Sequence, residues 1–298
     1  MDYEDFCEKV KRSVEECMGD GYIVKINDVI KLNETKLKGI SIFAEGGNIS
    51  PTIYLEDYYR SYEDGDETFG DIINRLIGFY RDRSPRNELN MNFFNEYKNV
   101  RKRLSFRLIS EEKNKLLLED TPYIPYLDLA ICFYYSFKDD DIGNGSILIK
   151  QSHIDKWGVG TKELMEDSMK NSRGLFPPEF GKVTDVILSM KGFDPEDYRD
   201  EYEPPLYILT NTERLFGAAA ILYPDMLKEI SGKLDSDIYV IPSSVHEVLI
   251  LPEKEVSDPD NLRTIIREIN RTQVRRSEVL SDTLYFYEKK KGKLEIAA

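Results

Sequence analysis

Histidine is nearly missing from this chain: 298 residues contain two, His153 and His246, beside three cysteines and one tryptophan. That scarcity works against a hydrolytic zinc centre, which commonly takes two or more histidines. An odd number of cysteines gives no complete disulfide framework. Cys7 and Cys17 fall ten residues apart in a helical pattern and Cys132 lies inside an apolar run, the placement of reduced, structural thiols. Long apolar runs are lacking as well. The greasiest segments, "YLDLAICFYYSF" and "FGAAAILYP", stop well short of the roughly 20 residues that cross a bilayer. The first residues, "MDYEDFCEKVKRSVEECMGDG", interleave charge with apolar side chains, unlike a secretion signal. The expectation is a soluble, cytoplasmic protein with no membrane partner.

A cationic surplus is the next absence. There are 41 Lys and Arg against 55 Asp and Glu, a net charge of −14, and no third of the chain is basic. Gripping nucleic-acid phosphates over a broad face needs positive surface. Composition therefore argues against a nucleic-acid partner, unless the fold gathers "NVRKRLSFR" and "INRTQVRR" together. The acid excess reads first as solubility, with an acidic face that mimics DNA or docks a basic partner as the lesser alternative.

What is present is periodicity. Tyr3, Phe6, Val10, Val14 and Cys17 recur at spacings of 3, 4, 4 and 3, one apolar stripe of an amphipathic helix that Gly19 and Gly21 end. "YIVKINDVI" and "KLKGISIFA" alternate with period two around "KLNET" and read as an antiparallel hairpin. "ETFGDIINRLIGFYRD" returns to the helical period. The Ser, Pro, Arg and Asn of "RDRSPRNELN" mark a soft boundary, dividing an N-terminal α+β region, 1–88, from a larger one, 89–298. There "RLSFRLIS" reads as a strand and "TPYIPYLDLAICFYYSF" as one long buried strand, with "SILIK" returning after the turn "DDDIGNG". "TKELMEDSMKNS", with Thr161 as N-cap, and "PEFGKVTDVILSMKGF" read as helices. The acidic "DPEDYRDEYEPP", 194–205, reads as a loop or linker. After it come strand "LYILT", a helix over "ERLFGAAAILYPDMLKEISGKL" broken at Pro224, strands "DIYVI" and "HEVLIL", a helix from 258, and two strands around Lys291 and Gly292. The fold class expected is α+β: mixed or antiparallel sheets with helices packed on them, and an order that admits helix–hairpin–helix units.

The segments "PTIYLEDYY", "YLDLAICFYY", "HIDKWGVGTKELMEDSMKNS", "LYILTNTERLFGAAAILYPDML", "IPSSVHEVLILP" and "REINRTQV" with "EVLSDTLYFYE" together resemble a large bacterial family of unknown function over nearly the whole chain. A more distant similarity in element order links it to another uncharacterised cytoplasmic bacterial group. The resemblance implies proximity of such genes to mobile elements, and it implies no activity, cofactor or catalytic residue.

The polar clusters that remain are few. In "YVIPSSVHEVLILP", Pro242, Ser243 and Ser244 suit a tight connection between strands. Read as chemistry, Ser244 and His246 would be nucleophile and base. Residues two apart in extended chain lie about 6.5–7 Å from each other, beyond hydrogen-bond reach. His246 and Glu247 could ligate a metal with His153, although the composition supplies no further histidine and no metal or other cofactor is expected. Asn211 and Thr212 stand where strand "LYILT" ends, a place for an N-cap or for anion binding by free N–H groups, though Gly217 stands alone without the glycine spacing of a nucleotide loop. Trp157 reads as a plug under a loop. Nineteen tyrosines supply amphipathic contact surface suited to a protein partner. The leading expectation is a macromolecule-binding or regulatory protein whose binding residues are Asn211, Thr212, Ser243, Ser244, His246 and Glu247. The alternative is a hydrolase or nuclease built around the 241–247 turn, with acids such as Asp128 or Glu268.

Overall fold

The computed structural model describes residues 1–47, 50–84, 91–139, 143–185 and 206–297. Its contacts divide the chain into two compact units, Met1–Phe93 with Phe137–Gly145, and Phe94–Ser136 with Ser146–Ala298.

In the first unit the expected helix forms as α1, Tyr3–Met18, capped by Asp2, whose carboxylate accepts the Asp5 amide, and stopped at Gly19 with φ 80°. Strands β1, Tyr22–Ile30, and β2, Lys36–Ala44, pair antiparallel in unbroken register from Tyr22↔Ala44 to Ile30↔Lys36. Their connection turns through Asn33 and Glu34 at φ 58° and 52°. A short β3, Thr52–Tyr54, adds to β2, and helices α2, Glu56–Glu63, and α3, Phe69–Arg83, follow. β3 stands between the hairpin and α2, and a helix–hairpin–helix unit is not shown here. Thr68 and Asp71 form a reciprocal capping box at the start of α3, which satisfies two otherwise orphaned amides. The apolar stripes of α1 and α3 close over β2: Phe6, Val10, Ile40, Ile72 and Leu76 have no accessible surface and share one core cluster.

The second unit holds two sheets. After the single-turn helix α4, Tyr97–Val100, strand β4, Leu104–Ser110, pairs antiparallel with β6, Leu129–Asp139, of which Leu129–Ser136 belongs to this unit. Helix α5, Lys115–Leu118, lies between them in sequence, and β5, Tyr123–Tyr126, pairs with the other edge of β6, joined there by β7, Gly143–Leu148. The one long strand expected over 121–137 is therefore two. The chain reverses at Leu127 and Asp128, with Leu127 at φ 58° and Tyr126 opposite Leu129. Nothing local signals this turn, since a two-residue hairpin with positive φ ordinarily carries Asn or Gly. Hydrogen bonds made by Asp128 to distant residues hold it instead.

Helices α6, Gln151–Trp157, and α7, Thr161–Leu175, come next. Gly160, not Thr161, occupies the N-cap of α7. The helix expected from 178 begins as a strand: β8, Pro178–Lys182, pairs antiparallel with β9, Tyr207–Asn211. Proline is tolerated there because β8 is an outermost strand and Pro178 is its first residue. Residues 186–205, including the expected 194–205 loop, lie outside the described residues. Beyond β9 the small run Gly217–Leu222 is a tight 3₁₀ turn, and an α-helix, α8, begins only after Pro224, at Met226–Leu234. Strands β10, Ile238–Ile241, and β11, Val248–Pro252, helix α9, Pro259–Thr272, and strands β12, Tyr285–Glu288, and β13, Lys293–Ile296, complete the chain. The resulting sheet has order β13-β12-β10-β11-β9-β8 with every neighbouring pair antiparallel. The fold is α+β, and no helix among the described residues is long and apolar enough to cross a membrane.

Leu76 lies fully inside the first unit's core. Leu76→Ala is expected to lower unfolding free energy by about 2–5 kcal/mol, the range for emptying a sealed leucine site. Urea titration against wild type checks this, and a loss under about 1 kcal/mol would mean that the core is not closed there.

Candidate functional site

Residues 242–247 connect β10 to β11, and their backbone is already paired. The carbonyls of Pro242 and Ser243 accept the amides of Ser281 and Leu280 at 2.9 and 3.1 Å, and the Val245 amide donates to the Glu278 carbonyl at 2.8 Å. Ser244 and Val279 form an antiparallel bridge. Ser243 and Ser244 are buried beneath this crossing, at 6% and 4% exposure. The Ser244 hydroxyl oxygen accepts the His246 amide at 3.0 Å. His246 turns its Nδ1 away from the serine to accept the Phe216 amide at 3.4 Å. A serine–histidine nucleophile pair is therefore not assembled: hydroxyl and imidazole each satisfy a separate backbone N–H.

Glu247 follows on the same turn, half-buried. Burial pushes its carboxyl above the ordinary glutamate range, and the Ser244 hydroxyl and the His246 imidazole offset only part of the effect.

Asn211 ends β9 but starts no helix. Its side-chain oxygen accepts the amides of Glu213 and Leu215 at 3.1 and 3.2 Å, and its NH₂ donates to the Leu215 carbonyl at 2.8 Å. The expected N-cap is instead a loop organiser, holding a segment in which Arg214 and Phe216 sit at φ 51° and 54°. Thr212 is exposed, its amide bonded to the Pro177 carbonyl at 3.0 Å. Its neighbour Thr210 joins the loop to the turn by donating to the His246 carbonyl at 2.8 Å. Gly217 packs into this junction, where a Cβ would meet Thr210 Oγ1 at 2.3 Å and the His246 carbonyl oxygen at 2.4 Å. No larger residue fits without moving backbone. The fold thus brings Asn211 and His246 into one cluster, leaves Thr212 on the surface and seals Ser243 and Ser244.

Two members of that cluster carry no sequence motif. The Phe216 ring lies parallel to the His246 imidazole, 6.0 Å between centroids at 10°, with the Tyr134 ring edge-on at 5.3 Å. Arg107, in the middle of β4, places its guanidinium 4.9 Å from the Phe216 centroid. Its Nε is closed off from solvent without a hydrogen-bond partner. The one available signal was a charge inside "LSFRLIS", a strand whose other six residues are all buried.

The remaining candidates lie elsewhere. Asp128 accepts hydroxyl protons from Ser281 at 2.5 Å, Thr283 at 2.9 Å and Tyr285. Burial and that carboxylate push the Tyr285 hydroxyl far above its ordinary pKa. Glu268 is exposed on α9. His153 accepts the Lys150 amide at Nδ1, 3.0 Å away, and stacks on Trp157 at 26°. Burial lowers its pKa. Trp157 donates to the Phe94 carbonyl at 2.9 Å. Among the described residues no group of three or more His, Cys, Asp or Glu side chains could hold a metal ion.

A different surface is concave. α7 packs Leu164, Ser168 and Ser172 inward, where Ser172 meets Ser105 of β4 at 2.9 Å between hydroxyls. Met165 and Met169 lie about 100° round the helix from Leu164 and Ser168. There they line, with Ile124 and Pro224, a cleft of about 740 Å³ bordered by Thr161, Lys162, Glu166 and Lys170.

These features describe an α+β protein with a hydrogen-bonded polar turn and, among the described residues, an apolar cleft beside α7. The chain belongs to the DUF5688 family, a family of unknown function, which it matches over residues 3–289. No curated protein and no solved structure matches it.

A raised Glu247 pKa gives folding a contribution that is fully present below the ordinary glutamate range and is lost as pH rises through the folded-state value. Glu247→Gln removes the ionisation. The variant should melt above wild type at pH 7, with the gap closing below about pH 4. Melting curves across pH check this, and a variant less stable than wild type at pH 7 would contradict it.

Proposed function

We propose that this protein binds another protein, as a recognition or regulatory component, through the cleft beside α7, and that it works in the cytoplasm. The observation that carries the reading is the cleft itself: about 740 Å³, floored by Ile124, Met165, Met169 and Pro224. Methionine is unbranched and polarizable, which suits a groove that adapts to its occupant. Two methionines one helical turn apart match the spacing by which an amphipathic helix inserts its apolar face. Lys162 and Lys170 at the border, on a chain of net charge −14, favour an occupant whose apolar residues are flanked by Asp or Glu. Cys7, Cys17 and Cys132 are all free thiols, consistent with a reducing compartment. The hydrolase or nuclease alternative draws less support from this turn, where the Ser244 hydroxyl oxygen and His246 Nδ1 each accept a backbone amide.

The test is selection from a displayed library of roughly 15-residue helix-forming peptides on the intact protein. Enriched peptides should carry apolar residues at i, i+3 or i+4, and i+7 with acidic neighbours. Their affinity should fall at least about tenfold for the Met165→Asp/Met169→Asp protein, at an unchanged melting temperature. No enrichment, or binding that ignores the double substitution, would overturn the proposal.

A further inference from the structure

Arg107 is a cation in a place that ordinarily demands a counter-charge. Arginine stays protonated in proteins, and a buried charge is stable only when paired and hydrogen-bonded. Among the described residues the Arg107 side chain has no ion pair, its Nε is buried without a hydrogen-bond partner, and its guanidinium lies against the face of Phe216. The groups nearest in charge, Cys132 directly opposite on β6 and Tyr134, are both pushed by burial up to about 12. At neutral pH each is uncharged and supplies no compensation.

The geometry says what is missing. A guanidinium offers its N–H donors in a planar fork, and the Nε edge together with one terminal nitrogen matches the two oxygens of an oxyanion side-on. Here the flat face is taken by Phe216, which leaves the edge. Nε has no acceptor and is closed off from solvent, while the residue as a whole is half-buried. Phe216 is braced by Tyr134 and by the parallel His246 ring, and its amide is held by His246 Nδ1. Asn211 and Gly217 fix the loop on either side.

We propose that Arg107 is the anchor of a small-oxyanion site, recognising a carboxylate or phosphate group of a ligand, with Phe216 and His246 as its aromatic wall. This site lies apart from the residues that line the cleft and does not depend on the reading given to that cleft.

The experiment is a thermal-melt titration of the whole protein with sodium phosphate and, separately, sodium acetate, each against sodium chloride at matched ionic strength. An anion bound only by the folded state raises the melting temperature saturably. Wild type is expected to respond to phosphate or acetate beyond chloride, and the responding arm identifies the oxyanion class. Arg107→Met should abolish the response and melt at or above wild type in chloride, since it replaces an uncompensated buried charge by an apolar side chain of similar length. Arg107→Lys, which keeps the charge without the fork, should weaken binding at least about tenfold. The proposal is overturned if neither anion acts beyond chloride on wild type, if the response survives in Arg107→Met, or if Arg107→Met melts well below wild type in chloride. Should the methionine variant fail to fold, an undiminished response in Arg107→Lys overturns it equally.

Discussion

The carboxylate of Asp128 is the tie on which the second unit depends. It stands on the turn between β5 and β6 and accepts hydroxyl protons from Ser281, Thr283 and Tyr285, three residues that lead into β12 of the other sheet. Hydrogen bonds to a charged group contribute about 1.5–3 kcal/mol each, enough to hold Leu127 in a left-handed conformation that no glycine or asparagine there would have made easy. The same segment is gripped from further sides. Asn270 of α9 donates to the Ser281 carbonyl at 2.9 Å and to Asp282 at 2.8 Å, and Lys113 reaches Asp282 at 3.2 Å.

Seen from this tie, the serine- and histidine-bearing turn has a definite role. Pro242, Ser243, Ser244 and Val245 pair with 278–281, so the turn positions the hydroxyl residues that Asp128 binds. Ser243 and Ser244 are small because they are covered, and Ser244 satisfies the backbone of its own turn. His246 faces the other way, through its carbonyl to Thr210 and through its ring to Phe216. One short stretch thereby serves two neighbours, the Asp128 network on one side and the aromatic wall beside Arg107 on the other. Polar residues between apolar strands suggest chemistry in a sequence; here Ser244 and His246 make hydrogen bonds to the backbone of their own turn and of the neighbouring loop.

The sequence was legible where structure is local. The stripe of α1, the β1–β2 hairpin, the paired β10 and β11 and the proline ahead of α8 all follow from period and punctuation. It was opaque where distant contacts override local preference. Leu127 and Asp128 turn without a turn signal because residues about 150 positions later hold them; β8 forms in a stretch of helical period because β9 offers it an edge. Asn211 was recognisable as a polar strand end, yet its organising role requires the fold of the loop that follows. The Arg107 cluster draws on positions 107, 134, 216 and 246, and no spacing rule connects them. Only the oddity of one charge inside an apolar strand could have pointed there.

Asp128 and its hydroxyl donors act as one unit. A double-mutant cycle of Asp128→Asn and Tyr285→Phe, read by urea unfolding, measures this directly, because contacting residues in one network depart from additivity. A coupling of at least about 1 kcal/mol between the two substitutions is expected. Effects that add within about 0.3 kcal/mol would contradict it.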